Sequence, residues 1–147
     1  IVYSLVLNGI IEEYTLKYVS EHDSVPSPDD FHLSDAEFED FVKFAAGKDF
    51  DYRSESKALL DEVKKTIKEE GLGNLAGALT DSLAKAVDLD KAEIIRYNKD
   101  QITPFIEEEI IIRYYFQPAG VKIRLRTDNQ LHEALAKWDE SLGLLEA

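Results

Sequence analysis

The amino-acid sequence predicts a mainly α-helical protein, a multi-helix bundle around a central helix near residues 101–117. Two observations support this prediction. Along most of the chain, apolar residues recur every three or four positions, which is the spacing of one face of a helix. From Ile110 onward the central segment is apolar on all sides, and such a helix must be covered by neighbouring helices. With 147 residues the chain is expected to form one helical domain, residues 1–147.

Residues 110–126 leave a second interpretation open. Ile110 to Phe116 is rich in β-branched and aromatic residues, and Pro118 to Gly120 is typical of a turn. Val121 to Arg126 then alternates strictly between apolar and basic residues. Together these features are typical of a β-hairpin. The pattern alone is compatible with both structures, because short apolar runs occur in helices and in strands.

Residues 1–22 are predicted to form the first helix. Their apolar residues share one stripe: Val2, Leu5, Ile10, Ile11, Tyr14, Tyr18 and Val19. The first turns are so apolar that we expect them to pack on another part of the protein. Residues 22–30 contain two prolines and several capping residues, and they are therefore predicted to be a loop.

A capping box predicts the start of the second helix. Ser34 and Glu37 have its spacing, in which each side chain satisfies a free backbone N–H at the start of a helix. The helix should run to Ala46. Gly47 should end it in the left-handed conformation that glycine adopts easily.

Ser54 or Ser56 should cap a third helix that ends at Gly71. Its apolar residues form a stripe that we expect to be buried: Leu59, Leu60, Val63 and Ile67. Residues 72–87 are rich in small residues and place leucines at four-residue steps, at positions 75, 79 and 83. This composition is typical of a helix that packs closely against a neighbour.

Asp90 is predicted to cap a short helix that reaches Tyr97. The central helix has two candidate starts. Thr103 could cap it with Pro104 in the first helical position, which proline favours. A start at Asn98 would instead place Pro104 inside the helix.

A last helix is predicted after residue 126. Thr127 and Gln130 repeat the spacing of a capping box. The apolar face of this helix would carry Leu131, Leu135, Trp138 and Leu142.

The charge and composition exclude several classes of function. The net charge is −13, from 30 acidic and 17 basic residues, and a field of that sign repels nucleic-acid phosphates and anionic lipid. We therefore expect no nucleic-acid partner. No apolar run reaches the roughly 20 residues that a membrane-spanning helix needs, so no membrane span is expected. Because cysteine is absent, disulfides, thiolate metal sites and cysteine nucleophiles are excluded.

The start of the chain predicts that it belongs to a larger protein. The chain begins with Ile1 and contains no methionine. Residues 1–7 lack the basic start and the cleavage site of a signal peptide. We therefore expect the chain to be a C-terminal or internal piece of a larger protein.

Two short motifs resemble cofactor or catalytic signatures in the wrong context. Gly71, Gly73 and Ala76 match a dinucleotide-binding pattern, but that pattern requires a preceding strand and here a charged helical segment precedes it. We interpret these glycines as a helix end. Ser82 and Lys85 match S-x-x-K, in which lysine can accept the proton of serine, but the partner motifs of such enzymes are missing.

The histidines and the acidic residues lead to no assigned site. Metal ligands could converge only in one loop: His22, Asp23, Asp29, Asp30 and His32, with His132 far away. A loop rich in aspartate more often serves turns and caps. Glu107, Glu108 and Glu109 are interpreted as anions in the first turns of the central helix or as its solvated face. We assign no catalytic, cofactor-binding or metal-binding residue, and no motif in the sequence indicates an enzyme.

The aromatic residues late in the chain are expected to fill the core. Tyr114, Tyr115 and Phe116 follow the apolar run of the central helix, and Trp138 has core spacing in the last helix. They lack the basic neighbours of a base-stacking surface.

Three segments resemble the region that follows the protease core in carboxy-terminal processing (tail-specific) serine peptidases. They are residues 8–11 with 18–22, residues 31–41, and residues 106–117. The last is the most specific, because glutamates, aliphatic residues, an arginine and aromatics end in a glutamine, and a final helix follows. Pro104 and residues 117–120 depart from the smoother helical pattern of the family. The resemblance favours the helix over the hairpin at residues 110–116.

This resemblance implies a parent protein with an upstream PDZ-like domain, a serine–lysine peptidase core and a periplasmic or cell-envelope location. None of the catalytic motifs of the family can be placed on this chain. The chain would be the non-catalytic C-terminal accessory domain, bracing the protease core or mediating assembly, including assembly into a homo-oligomer. A stand-alone helical protein-binding or adaptor module is the alternative.

Overall fold

The structure, a computed structural model, describes residues 1–50, 52, 54–126 and 128–145, with side chains up to residue 138. Within these ranges it consists of α-helices and contains no strand. The helices are α1 (Val2–Leu7), α2 (Ile10–Glu21), α3 (Asp35–Ala46), α4 (Glu55–Glu69), α5 (Gly73–Val87), α6 (Lys91–Tyr97), α7 (Lys99–Tyr115), α8 (Gln117–Arg126) and α9 (Asn129–Leu145). The predicted helical fold is confirmed, and the alternative β-hairpin at residues 110–126 is wrong.

The helix α7 lies at the centre of the core. Ile102, Ile106, Ile110 and Ile111 are each 0% exposed and recur at helical spacing. They pack with buried residues of α2, α3 and α6, and α8 covers another side of α7. The predicted central helix is therefore confirmed. It begins after Asn98, so Pro104 lies inside it and the start at Thr103 is wrong.

The predicted first helix is divided into α1 and α2. Gly9 has a φ angle of 67°, a left-handed conformation that ends one helix and starts the next. The Asn8 side chain donates a hydrogen bond to the Ser4 carbonyl at 2.8 Å and so closes the last turn of α1. The break lets Leu5, Ile10 and the rest of the apolar stripe enter the same core.

The capping predictions are largely confirmed. Ser34 and Glu37 form the predicted capping box at α3, and Asp90 with Glu93 forms a second one at α6. Ser54 caps α4 by accepting a hydrogen bond from the Lys57 backbone N–H at 3.3 Å. These contacts are local, so the sequence spacing is enough to predict them.

One predicted helix end differs from the structure, and one predicted cap cannot be compared with it. Gly47 follows α3 with a φ of −77°, so its predicted left-handed conformation is wrong, whereas Gly71 after α4 has a φ of 74°. At α9, Asp128 accepts a hydrogen bond from the Leu131 backbone N–H at 3.0 Å. The predicted cap residue Thr127 lies outside the described residues.

The helices α4 and α5 form an antiparallel hairpin, and their predicted buried stripe is wrong for most of its residues. Leu60 is buried, but Leu59 is 55% and Val63 is 47% exposed. On α5, no described residue is buried. The periodic pattern identified the apolar side of each helix correctly, but it could not show whether this chain covers that side.

The close packing of α8 on α7 explains why residues 117–126 fold back as a helix. A Cβ atom added to Gly120 would lie 2.6 Å from Cγ1 of Ile112, so only glycine allows this approach. Ile123 is buried, whereas Val121 and Leu125 are partly exposed, as one face of a helix requires. No helix in the described ranges combines the length and the apolar composition that crossing a membrane takes.

The aromatic residues at the elbow between α7 and α8 do not fill the core as predicted. Phe116 is 76%, Tyr115 is 39% and Trp138 is 65% exposed, and only Tyr114 packs partly against the core. Phe116 has φ 66° and ψ 176°, a conformation that is accessible essentially only to glycine. The chain reverses at Phe116, and this turn directs its side chain away from the core.

We expect Gly120→Ala to lower the free energy of unfolding by about 1 kcal/mol. Overpacking costs about 1–3 kcal/mol, which exceeds the roughly 1 kcal/mol that alanine gains over glycine in a helix. In an Ile112→Ala background the same change should be neutral or stabilising, because the contacting atoms are gone. Urea melts of the four proteins measure this coupling, with Gly77→Ala, which meets no atom within 4 Å, as a control expected to stabilise. Equal losses in both backgrounds would contradict the close packing.

We expect Phe116→Gly to raise the free energy of unfolding by about 1 kcal/mol. Removing the strain of this φ/ψ pair should stabilise the folded state by about 1–3 kcal/mol. Glycine offsets up to about 1 kcal/mol of this gain, because it makes the unfolded chain more flexible. Phe41→Ala should instead cost about 3–5 kcal/mol, since Phe41 is 0% exposed. Urea melts compare the two variants. If Phe116→Gly lowered the free energy of unfolding as much as Phe41→Ala does, Phe116 would have to be a core residue.

Candidate functional site

A loop of residues 22–33 is held on the α7–α8 elbow by contacts to its main chain. The Tyr114 hydroxyl donates a hydrogen bond to the His22 carbonyl. The Tyr115 hydroxyl donates to the Val25 carbonyl at 2.9 Å. Carbonyls in an irregular segment have no regular backbone partner and need such donors. Tyr114 and Tyr115 therefore hold the loop against the end of α7.

Arg126, at the end of α8, holds the second half of this loop. Its Nη1 donates to the Phe31 carbonyl at 2.9 Å, and its Nη2 donates to the Pro28 carbonyl. A guanidinium group can serve both because it carries five donors in a fixed plane. Lys122 adds an ion pair to Asp29 at 2.9 Å.

Glu107 completes the contact from inside the domain. It is 7% exposed, and its Oε1 accepts a hydrogen bond from the Leu33 backbone N–H at 2.8 Å. Its Oε2 lies 3.5 Å from Nη1 of Arg126, so the two opposite charges compensate each other. We call Glu107, Tyr114, Tyr115 and Arg126 the loop clamp. It positions Phe31 and Leu33, which are both buried in the core.

The three glutamates thus occupy different environments, and the prediction that they are first-turn anions or a solvated face is wrong for Glu107. Because α7 begins at Lys99, they lie beyond its first turns. One sequence signal could have pointed to Glu107: Ile110 and Ile111 lie three and four positions later, so Glu107 shares a face of α7 with them. A buried carboxylate requires a cation nearby. The basic residues of the following helix, within residues 122–126, are candidates for this cation.

Glu108 is paired with Arg124, with Oε1 and Nε 2.8 Å apart. Burial raises the pKa of Glu108; Arg124 opposes this increase, and Glu109 adds to it. Its side chain is 16% exposed. The charged form of Glu108 is therefore only partly compensated in the folded protein.

An open crevice of about 500 Å³ lies beside Glu108, between α1, α2, α7 and α8. It is lined by Val6, Ile11, Glu12, Phe105, Glu108, Glu109 and Arg124. Three of these residues are apolar, three carry carboxylates and one, Arg124, is a cation. Glu12 is 3.5 Å from Arg113, which neutralises part of this negative charge. The crevice therefore combines apolar surface with a small excess of negative charge.

Both sequence motifs lie in the α4–α5 hairpin. Gly71 lies between α4 and α5 and Gly73 is the first residue of α5, so the turn joins two helices and lacks the strand of a dinucleotide site. The Ser82 hydroxyl donates a hydrogen bond to the Ala78 carbonyl at 2.9 Å. In the structure the Ser82 proton is therefore directed at its own helix and not at Lys85.

The histidines remain apart. His22 stacks on the ring of Tyr18 at 4.0 Å between centroids, and its Nδ1 lies 2.9 Å from the Tyr18 carbonyl. His32 lies beside Arg126, with Nδ1 3.4 Å from Nη1. His132 contacts the Leu125 carbonyl at 3.0 Å. Among the described residues, no three histidine, aspartate or glutamate side chains come together in a way that could hold a metal ion.

We expect Glu107→Gln to lower the free energy of unfolding by about 1–3 kcal/mol. Glutamine retains an acceptor for Leu33, but Arg126 loses its compensating charge. Glu108→Gln is the matched control and should stay within about 0.5 kcal/mol. The pKa of Glu108 is raised in the folded state, so its ionisation lowers stability as the pH rises through that pKa, and glutamine removes this loss. Urea melts at neutral pH compare the two variants, and equal effects would refute the loop clamp.

Comparison with known families identifies the domain. The model of the C-terminal helical domain of a probable PDZ-protease matches residues 1–137. No curated protein and no solved structure matches the chain significantly. The match spans most of the chain, including the loop clamp, the crevice and the α4–α5 hairpin. The chain therefore belongs to the family of C-terminal helical domains of probable PDZ-proteases.

Proposed function

We propose that this chain is one non-catalytic accessory domain of a tail-specific serine endopeptidase and that it packs against the protease portion and braces it. The family assignment supports the link to a protease and disfavours a stand-alone adaptor. The resemblance of residues 106–117 supports the serine type, the serine–lysine core and the PDZ-like domain that would bind the substrate's C-terminus. The same resemblance supports a periplasmic or cell-envelope location.

The observation that carries the proposal is an exposed apolar face at the start of the domain. Tyr3 is 75%, Leu7 is 68% and Val6 is 50% exposed. Val6 and Leu7 lie three and four positions after Tyr3, so the three residues share one side of α1. Val6 also lines the crevice, where Phe105 is 44% exposed. We call Tyr3, Val6, Leu7 and Phe105 the N-terminal face.

The N-terminal face is suited to a neighbouring part of the same polypeptide. A domain that precedes this one would be tethered next to α1, and a tether raises the effective concentration of the partner to the millimolar range. The crevice has three carboxylates, those of Glu12, Glu108 and Glu109, against the two guanidinium groups of Arg113 and Arg124, and this small excess of negative charge favours a basic over an acidic residue of the protease portion. Apolar contacts on the N-terminal face would contribute most of the docking free energy.

The test uses the whole protease with the double change Tyr3→Ser and Leu7→Ser. Complete burial of each side chain is worth about 1.5–3 kcal/mol, so docking should weaken by about 100-fold or more. We expect a lower melting temperature of the protease portion and slower cleavage of peptides that have a free C-terminal carboxylate. Peptides with an amidated C-terminus should not be cleaved by either protein.

Leu16→Ser is the matched control, because Leu16 is 53% exposed on α2 and does not line the crevice. It should behave like the unchanged protease. If the double variant matches this control in melting and in cleavage, the N-terminal face does not brace the protease. Efficient cleavage of the amidated peptides would refute the tail-specific assignment on its own.

A further inference from the structure

The α4–α5 hairpin has two different sides. On one side, ion pairs join the helices: Lys57 with Asp88, and Lys64 with Asp81 at 2.8 Å between Nζ and Oδ1. These residues and their neighbours line a polar groove between α4 and α5. The ion pairs therefore define which side of each helix is polar.

The opposite side of the hairpin is apolar and open. An α-helix turns by about 100° per residue. Leu59 and Val63 are therefore rotated by about 100–160° around the α4 axis relative to Lys57 and Lys64. The leucines of α5 lie about 120–180° around their axis from Asp81 and Asp88. We call Leu59, Val63, Leu75, Leu79 and Leu83 the leucine face. Leu75 is 80%, Leu79 is 73% and Leu83 is 52% exposed.

The α4 part of the leucine face contains a shallow groove of about 480 Å³. Leu59, Glu62, Val63, Thr66 and Ile67 line it, so one carboxylate stands among apolar or neutral side chains. Such a groove is shaped to receive side chains from a second apolar surface.

The distribution of charge lets a second copy of the chain reach the leucine face with little repulsion. The whole chain has a net charge of −13, which makes copies repel each other over most of their surface. Residues 54–88 are close to neutral, with seven acidic and five basic residues. On α5 the charged residues are Asp81 and Lys85, and both line the polar groove on the other side. The leucine face is thus a large apolar surface on which two copies can meet with little repulsion.

We propose that the leucine face is a self-association surface on which the hairpins of two copies pack into a four-helix bundle. A twofold axis would bring identical apolar surfaces together, as a closed dimer requires. Each 15-residue helix is about 22 Å long, and the two helices of a hairpin lie about 10 Å apart. Two such surfaces would bury a total of about 1,200 Å² or less, which is near the low end for specific interfaces. The dimer should therefore dissociate on dilution. The proposal goes beyond the bracing function and uses a surface separate from the N-terminal face.

The test is sedimentation velocity of the 147-residue chain over a wide range of concentrations. The unchanged chain should shift from monomer to dimer as its concentration rises. Added salt should strengthen the dimer, because it screens the repulsion between two acidic chains. Leu79→Glu and Leu83→Glu should each weaken dimerisation by at least about 100-fold, because each change places two carboxylates in the apolar contact.

Leu16→Glu is the matched control, since Leu16 is 53% and Leu83 is 52% exposed. It should dimerise like the unchanged chain, and circular dichroism should show all variants folded because the changed residues are exposed. A chain that stays monomeric at every concentration would overturn the proposal, as would a dimer that survives Leu79→Glu. A dimer lost in Tyr3→Ser with Leu7→Ser but kept in Leu79→Glu would assign association to the N-terminal face and also overturn it.

Discussion

The carboxylate of Glu107 connects three parts of the domain that are distant in sequence. It belongs to the central helix, it accepts the Leu33 amide from a position 74 residues earlier, and it faces Arg126 at the end of α8. A buried carboxylate is stable only where hydrogen bonds and a cation replace water. The loop and the position of α8 therefore depend on each other through this residue, and the burial of Phe31 and Leu33 follows from it.

The sequence predicted the parts of the fold that depend on neighbouring residues. The capping box at Ser34 and the helix cap at Asp90 were predicted from the sequence, because their contacts span three residues. The isoleucines of α7 were found because apolar residues on all sides need cover. Residues 121–126 alternate between apolar and basic side chains, and this pattern suggested a strand. An alternation over six residues is too short to exclude a helix, and here the helix packs on α7 through Gly120.

The predictions that failed concern contacts between distant residues. Pro118 and Gly120 indicate a turn after α7, but the sequence does not show that the turn places Phe116 at a positive φ or that it exposes the ring. Likewise, the periodicity of α4 and α5 shows an apolar side but not which molecule covers it. Glu107 was missed because its partners, Leu33 and Arg126, meet only in the folded chain. The loop clamp and both exposed faces are therefore products of the tertiary fold.

The isolated position of the α4–α5 hairpin has a consequence for the dynamics of the domain. Native proteins open in cooperative units, and a unit that buries few side chains opens at a lower free energy than the core. The hairpin buries Leu60 and no described residue of α5, whereas α7 buries four isoleucines completely. Backbone amides of the hairpin should thus exchange with solvent through openings that leave the α7 core closed. Anything that covers the hairpin would slow exchange in this unit alone, so hydrogen exchange can locate a partner without any substitution.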